Sequence, residues 1–387
     1  MSIGRKHVCQ ARQRRGAISV LAAFMSVMVL AMVAFAVDVG YVLSSKQELQ
    51  RTADSAALAA CWEYARGLSQ GQTPTAAMTQ ARTAAVNYAS YNSVGGVDPA
   101  IDQNLGNSAT GDLVFGHMVD LYDPSAPLVT ATPNLYNAVR LKVRRDKTLN
   151  GETPYFFAKI FGLTGQGLDA EATAGYARSI AGVKTPADGG NIDVLPYALD
   201  WETWSHLLSG CASDQWTYNA GTQTISAGAD GVKEVNLFPQ GTGSPGNRGT
   251  VDIGGSNNST SDIARQIVYG ISPGDLSHHG GKLEFDENGE LELNGDTGIS
   301  AGVKDELASI KGKPRLIPIF STVVGPGNNA QFTIVHWAGI RIMDVKLTGS
   351  MSSKRVIVQP CHMVVQGAIA SGSLTSSYVY TPVVLVK

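Results

Sequence analysis

The pattern Gly-x-Ser-x-Gly at residues 298–302 is the motif of this chain best suited to catalysis. In a nucleophile elbow such a serine stands on a tight turn between a strand and a helix, and an acid and then a histidine follow along the chain. Ser300 would act in this way in an exported hydrolase, since a helix is predicted over 303–311. His336 and Asp344 follow in the reverse order. Capping of the predicted helix by Ser300 is therefore the favoured interpretation, with the hydrolase as an alternative.

Other residues with catalytic or metal-binding potential are isolated. Asp296, Thr297 and Gly298 form the triplet of aspartic proteases, which need two carboxylates that share a proton, and the sequence holds one copy of it. His278 and His279 lack a third ligand at a metal-binding spacing, and the chain has no Cys-x-x-Cys pair. The sequence therefore predicts a non-enzymatic protein with no catalytic residue, no cofactor and no metal.

An apolar run near the start determines which compartment these residues occupy. Residues 17–37 contain no charged side chain, and as a helix they would be about 31 Å long. This length matches the hydrocarbon core of a bilayer, about 30 Å. The run therefore predicts one transmembrane helix, from Ala17 to Val37. A cleaved secretory signal and a buried helix of a soluble protein are the alternatives.

Basic residues ahead of the run predict its orientation. Residues 1–16 carry five Lys and Arg and no acidic residue, and positive charge beside a spanning helix is retained in the cytoplasm. We expect a cytoplasmic tail at 1–16 and an exported region from Asp38 to Lys387. The whole chain has a net charge of −2, so the exported region is acidic. A nucleic-acid partner would require a basic patch, and none is predicted.

Cysteines follow the same division between compartments. Cys9 precedes the anchor and should stay reduced, whereas Cys61, Cys211 and Cys361 lie in the exported region, where disulfides persist. Three is an odd number, so at most one pair forms within the chain and one thiol remains. The sequence leaves the pairing open, and Cys211 with Cys361 is the pair that we consider first.

Residues 38–92 are predicted to form an alanine-rich helical hairpin. Its first helix contains no proline, is expected to end near Gly67, and has small side chains at helical spacing on one face. Because alanine side chains are short, a neighbouring helix can approach this face closely. The residues predicted to serve as membrane anchor and helix-packing surface are Ala17, Val37, Asp38, Leu49, Ala53, Ala56 and Ala60.

Strand and turn patterns divide the rest of the chain. Residues 93–184 predict a small α+β unit, in which strands, the first at 113–122, alternate with a short helix at 154–161. Residues 185–191 are rich in Pro, Gly and Asp and are typical of a linker. Residues 192–387 predict a larger β-rich domain, with strands at 332–337 and 340–347 among others. The fold class is therefore α+β, with a transmembrane helix at the amino terminus that continues into the alanine-rich segment.

Two features of the β-rich domain lead to specific expectations. The dipeptide Asn-Gly within residues 283–293 separates two short apolar segments, which predicts a β-hairpin with a primed turn. Three tryptophans, Trp201, Trp204 and Trp216, lie close in sequence. If all three were exposed on one face they would suggest a surface adhesion or binding module, whereas a shared buried core would not.

The amino-terminal pattern is similar to that of a known family. Its features are Arg-Gly at 15–16, Ala-Val-Asp-Val-Gly at 36–40 and Leu-Gln-Arg-Thr-Ala-Asp-Ser-Ala-Ala-Leu at 49–58. In this combination, residues 12–62 resemble the amino-terminal domain of the TadG-like proteins of the tight-adherence (Flp) pilus-assembly system. More loosely, residues 137–178 resemble the strand–helix–strand segment that follows in minor-pilin-like proteins.

The resemblance implies a single-pass protein of the bacterial cytoplasmic (inner) membrane, with its bulk in the periplasm or at the cell surface. It implies a structural or assembly role in a tight-adherence pilus, through helix packing with pilin-like or platform proteins, and leaves homo-oligomers open. Processed pilins carry a glutamate five residues after the cleavage point. This chain has Leu21 there, which argues against processing at Gly16. The Asp-x-Ser-x-Ser metal motif of von Willebrand A domains is absent from the sequence.

Overall fold

The computed structural model describes residues 15–70, 72–121, 123, 125–238, 248–255, 259–298, 300–325 and 327–386. Residues 1–14 of the predicted cytoplasmic tail, with Cys9, lie outside the described residues. The chain divides into two compact units. The anchor unit comprises Met1–Ala53, Ala89–Ala100 and Lys142–Glu171, and the β-rich unit comprises Asp54–Tyr88, Ile101–Leu141 and Ala172–Lys387.

Two helices begin the chain, and short helices and many strands follow, which confirms the predicted α+β class. The helices are α1 (Arg15–Ser69), α2 (Pro74–Ser90), α3 (Trp201–Leu208), α4 (Thr260–Tyr269), α5 (Pro273–Ser277) and α6 (Lys304–Ser309). The strands are β1 (Leu113–Gly116), β2 (Ala138–Arg145), β3 (Thr153–Pro154), β4 (Gly165–Gln166), β5 (Leu168–Gly175), β6 (Ile180–Lys184), β7 (Tyr197–Asp200), β8 (Trp216–Asn219), β9 (Thr224–Ala227), β10 (Val235–Phe238), β11 (Gly249–Val251), β12 (Lys282–Glu284), β13 (Leu291–Asp296), β14 (Pro314–Val324), β15 (Ala330–Lys346), β16 (Arg355–Pro360), β17 (Met363–Val364), β18 (Ala368–Ala370), β19 (Ser376–Ser377), β20 (Val379–Tyr380) and β21 (Val384–Leu385).

Helix α1 is continuous over 55 residues because no proline interrupts it. Among the described residues it is the one helix long and apolar enough to cross a membrane, with a mean hydropathy of 2.7 in its most apolar stretch. None of that stretch is buried, and every large apolar side chain from Ile18 to Phe35 is at least half exposed. The alternative of a buried helix in a soluble protein is therefore wrong. A helix is also the structure that satisfies all of its own backbone groups inside lipid.

Glycine permits close packing where α1 meets α2. The sequence predicted that the helix ends near Gly67, whereas in the structure it continues to Ser69. A Cβ atom at position 67 would lie 2.8 Å from Cβ of Ala77 in α2. On α2, Ala77, Ala81 and Ala85 are completely buried. Small side chains on both helices thus set the short distance between them.

The small sheet that follows has the strand order β1-β2-β5-β21. Strand β1 is shorter than the predicted segment 113–122, since at Gly116 the Leu128 side chain approaches within 2.5 Å of where a Cβ atom would stand. His117 then pairs with Val129 in an isolated bridge instead of extending the strand. A crossing segment, which local patterns do not reveal, therefore ends β1.

A closed ring of strands forms the centre of the β-rich unit. Strand β15 pairs with β13, β13 with β11, β11 with β7, β7 in parallel with β14, and β14 again with β15. The sequence predicted two strands, 332–337 and 340–347, where the structure has the single strand β15. Gly339 lies at the junction, and a Cβ atom there would meet the carbonyl oxygens of Cys361 and Tyr378 at 2.4 and 2.6 Å. Glycine at this position lets another part of the chain cross the strand.

Alternate side chains of these strands enter two apolar clusters. Along β14, Leu316 and Phe320 belong to one cluster, and Ile317 and Ile319 belong to the other. The first cluster also contains residues of the three-stranded sheet β12-β6-β18, and the second contains residues of α3, α4 and α6. Successive side chains of a strand point to opposite faces. Because both faces of β14 are covered by apolar clusters, residues 316–320 are all apolar.

The predicted β-hairpin within 283–293 is wrong. Its turn does form, because the Asp286 carboxylate accepts hydrogen bonds from the N–H groups of Asn288 at 2.8 Å and Glu290 at 3.0 Å. The flanking strands do not pair with each other, however: β12 pairs with β6, and β13 pairs with β15 and β11. Local turn chemistry sets the turn but does not select the partner strands.

Substitution of Gly67 by valine should lower the free energy of unfolding by about 1–3 kcal/mol, the usual cost of overpacking. Gly40→Ala, in the same helix, is the matched control, because nothing lies within 4 Å of its Cβ position. That control should be stabilising by roughly 0.5–1 kcal/mol. Thermal unfolding in detergent, followed by circular dichroism, compares them. A Gly67→Val protein as stable as the unsubstituted chain would contradict the close contact of α1 and α2.

Candidate functional site at the end of the apolar part of helix α1

Asp38 is the first charged residue after the apolar run. Its side chain is 4% exposed, and its carboxylate accepts hydrogen bonds from the N–H groups of Phe156 at 2.7 Å, Phe157 at 3.2 Å and Ala158 at 2.8 Å. These N–H groups stand at the start of a 3-10 turn, Ala158–Phe161, where no earlier carbonyl of the turn can accept them. The helix predicted over 154–161 is therefore reduced to this turn, and Asp38 satisfies its donors.

The charge state of Asp38 follows from these contacts. Burial alone would raise the pKa of its carboxyl group. The N–H donors of Ala158, Phe156 and Phe157, together with the positive charge of Lys159, outweigh burial and hold this pKa below its ordinary value. Because the folded-state pKa is lower than the unfolded one, the interaction stabilises the fold above pH ~4 and is lost as the pH falls below that. At neutral pH the Asp38 carboxylate is charged.

Aromatic and polar contacts continue one turn further along α1. The rings of Tyr41 and Phe156 meet edge to face, with their centroids 4.9 Å apart. The Tyr41 hydroxyl donates to the Gly95 carbonyl oxygen at 3.3 Å, and Glu48 Oε2 accepts from the Gly95 N–H at 2.7 Å. Both backbone groups of Gly95 are thus bound by side chains of α1.

Gly95 has a backbone conformation that favours glycine, with φ of +54°. A Cβ atom there would stand 2.7 Å from both Arg145 Nη1 and the Tyr41 hydroxyl. Arg145 is buried and donates from Nη1 to the Val94 carbonyl oxygen at 2.9 Å and from Nε to the Gly151 carbonyl oxygen at 3.3 Å. One arginine therefore joins the two chain segments that hold α1.

These two segments, Ala89–Ala100 and Lys142–Glu171, are called the collar below. They bind α1 at three further residues. Thr52 Oγ1 donates to the Asn92 carbonyl oxygen at 3.1 Å, and Gln50 Nε2 donates to the Glu171 carbonyl oxygen at 3.1 Å. Lys46 Nζ donates to the carbonyl oxygen of Asp169.

The collar binds α1 at several levels, which limits what the helix can do. Its contacts run from Asp38 to Thr52, fourteen residues and about 21 Å of helix. Rotation or sliding of α1 within the anchor unit would break these bonds, since side chains at successive positions of the helix bind backbone groups of the collar. The site therefore fixes α1 to the collar at several positions along the helix.

Four of the residues predicted to pack against partner helices are buried within this protein. Leu49 and Ala53 in the anchor unit, and Ala56 and Ala60 in the β-rich unit, are all 0% exposed. Val37 is 44% exposed at the end of the apolar run. The structure describes the backbone of Ala17 as helical but not its side chain. A partner helix would have to displace intrachain packing to reach the four buried residues, and their role with partners stays a prediction.

Sequence reasoning singled out Asp38 but missed Glu48, Gly95 and Arg145. Glu48 and its partner Gly95 are 47 residues apart in the sequence, and Arg145 and its partner Val94 are 51 residues apart. An acidic residue in a helix and a glycine in a loop are common, so neither carries a local signal. The adjacent glycines in the loop at 95–96 were the one available hint of an unusual backbone.

The residues with catalytic potential make other contacts. Ser300 Oγ accepts from the Gly302 N–H at 3.2 Å and so caps the helical segment before α6, as predicted. His336 Nε2 is paired with Ser377 Oγ at 2.7 Å. Asp344 pairs with Arg355 at 2.5 Å. Each of the three groups of the alternative hydrolase is thus engaged with a different partner.

One group of described residues has a geometry suited to a metal ion. Carboxylate oxygens of Asp214, Asp230 and Glu234 all lie within 4.8 Å of one another. They already accept backbone hydrogen bonds: Glu234 from Gln215 and Trp216, Asp214 from Asp230 and Gly231, and Asp230 from Tyr218 and Val232. These hydrogen bonds explain why the three carboxylates lie close together: each one holds backbone N–H groups of the neighbouring chain segments.

The expected disulfide is absent from the structure. Cys61, Cys211 and Cys361 are all free thiols, and Cys211 is exposed whereas the other two are buried. Cys361 Sγ instead accepts from Arg341 Nη2 at 2.8 Å. The pairing of Cys211 with Cys361 was therefore wrong.

The three tryptophans do not form a common exposed face. Trp204 is completely buried, whereas Trp201 is 42% exposed, and Trp216 is half-buried. Trp204 belongs to the apolar cluster covered by α3, α4 and α6. The surface-binding hypothesis that depended on all three tryptophans is not supported by this arrangement.

Comparison with known proteins identifies the amino-terminal part of the chain. Residues 16–67 match the family model described as putative Flp pilus-assembly TadE/G-like, and residues 49–174 match the one described as putative Tad-like Flp pilus-assembly. No curated protein and no solved structure gives a significant match. The two matched regions contain α1 from residue 16 onward and the whole collar. The amino-terminal region, residues 16–174, is thus similar to the TadE/G-like and Tad-like Flp pilus-assembly families, which agrees with the resemblance found in the sequence.

Replacement of Asp38 by alanine should loosen the collar, because three N–H groups then lose their acceptor. Amide hydrogen exchange, read by mass spectrometry of detergent-solubilised protein, should speed up in peptides that cover residues 155–162. Asp305→Ala is the control, since Asp305 is exposed on α6. Unchanged exchange at 155–162 in Asp38→Ala would show that the carboxylate does not hold the turn.

Proposed function

We propose that this protein is a membrane-anchored, non-enzymatic structural component of a tight-adherence (Flp) pilus system. The observation that carries the proposal is that an apolar helix with exposed side chains is followed directly by a buried carboxylate, which fixes this helix to the collar. The matched families, which are generally structural, support the pilus system as its context. The contacts of Ser300, His336 and Asp344 with separate partners favour a structural role.

The proposed topology is single-pass in the cytoplasmic membrane, with the amino terminus inside. Two observations support it. The basic tail at 1–16 favours retention in the cytoplasm. Asp38, charged at neutral pH, would be costly within hydrocarbon, which supports an outer boundary of the bilayer near residue 38. The region from Asp38 onward then lies in the periplasm or at the cell surface.

The proposed role of the collar is to transmit orientation. If a membrane helix ends in a flexible linker, the orientation of the helix does not determine the orientation of the exported region. Here side chains from Asp38 to Thr52 bind the collar, so tilt or rotation of the membrane helix turns the collar with it. Such coupling suits a component that must present an exported part in a defined direction during assembly.

Partners would bind through the membrane helix. The exposed apolar side chains from Ile18 to Phe35 are accessible to a second helix, and helix association in lipid relies on close van der Waals packing. Leu49, Ala53, Ala56 and Ala60 support this role indirectly, since they pack the continuation of the same helix inside the chain. Pilin-like proteins, platform proteins or a second copy are the proposed partners.

Deletion of the protein from its host should abolish surface Flp pili, and the full chain supplied in trans should restore them. The decisive comparison is a chain that begins at Asp38 behind a cleavable secretory signal. It should reach the periplasm but leave pili absent from the fraction sheared from cells. Normal pili with this anchorless chain would contradict the proposed function, as would normal pili in the deletion strain.

A further inference from the structure

The collar exposes a set of large apolar side chains that the anchor unit does not bury. Phe157 is 43% exposed, Ile160 81%, Phe161 84% and Leu163 57%. They stand on the 3-10 turn and its continuation, which Gly162 closes with φ of +83°. Four neighbouring apolar side chains so exposed to water are unusual for a surface in contact with solvent alone. Residues 157–163 are called the apolar turn below.

The apolar turn faces the membrane helix. Its side chains and those of α1 line one cleft of about 870 Å³ within the anchor unit. On α1 this cleft extends from Leu43 back to Val27 and includes Leu30 and Ala34. Sixteen residues of helix correspond to about 24 Å, and more than half of that length lies before Asp38. The cleft therefore continues along the part of α1 that the proposed function places in lipid.

Charge on the turn agrees with a position at the membrane surface. Lys159 is exposed, and its positive charge acts on Asp38. A lysine can bury its aliphatic stem among lipid while its ammonium group reaches the phosphates. Tyr155, at the entrance to the turn, donates to Gln166 Oε1 at 2.8 Å. Aromatic residues with a polar group are typical of this interface.

We propose that the apolar turn inserts into the outer leaflet of the bilayer beside α1 and that phospholipid acyl chains fill the cleft between them. This inference rests on the proposed spanning of the membrane by α1. Continuity selects the occupant: the wall of the cleft formed by Val27, Leu30 and Ala34 is the lipid-facing surface of the anchor itself. The anchor unit would then touch the membrane at two places, the helix and the turn, which resists tilting of the helix.

The test uses the full chain in phosphatidylethanolamine–phosphatidylglycerol vesicles at a low protein-to-lipid ratio. Cys9 and Cys211 are replaced by serine, and a polarity-sensitive fluorophore is attached to Phe161→Cys. We expect blue-shifted emission, strong quenching by doxyl-labelled lipids and several-fold weaker quenching by aqueous iodide than at the control Leu374→Cys. Leu374 is also apolar and is 89% exposed, in the β-rich unit.

A label at Leu30→Cys separates the two proposals. If lipid quenchers reach Leu30 but iodide quenches Phe161, the turn is in water and the inference is wrong while the anchor stands. If neither quencher reaches Phe161, protein covers the turn, from this chain or a second copy, and the inference is again wrong. If lipid quenchers do not reach Leu30, the membrane-spanning role of α1 fails first. Quenching of both labels by lipid supports the inference.

Discussion

At the end of the apolar run of α1, the carboxylate of Asp38 accepts hydrogen bonds from the N–H groups of residues 156–158, so that each satisfies the hydrogen-bonding requirement of the other. A charged carboxylate that leaves water needs donors, and backbone N–H groups at the start of a turn need an acceptor. Asp38 is the first residue that hydrocarbon would not tolerate, and the chain binds it at once instead of leaving it in solvent. The other hydrogen bonds between α1 and the collar, from Tyr41 to Thr52, lie further along the same helix.

Much of the helical part follows from local sequence. The uncharged run at 17–37, the absence of proline and the alanine spacing around Ala56 are all short-range signals, and the structure has helices at these places. Period-two alternation likewise marks β2, and a continuous apolar run at 316–320 marks β14. These elements were predictable because the helix and strand periods are written into neighbouring residues.

Long-range features were not predictable in this way. Asp38 is 118 residues from Phe156, and nothing in either neighbourhood announces the other. The Asn-Gly turn is present at 288–289, yet the strands beside it join different sheets. The single strand β15, predicted as two, depends on a crossing segment that only glycine at 339 can accommodate. Closure of the ring of strands is a property of tertiary packing, for which one sequence offers no period.

Permanent membrane insertion of α1 underlies every role proposed for this protein, and extraction of native membranes tests it directly. Membranes are washed with mild salt, then with alkaline carbonate, then with detergent, and the intact mass of the released chain is measured. We expect release by detergent alone, with a mass that includes the apolar run at 17–37. Release by mild salt of a chain that lacks residues 1–40 would contradict the account.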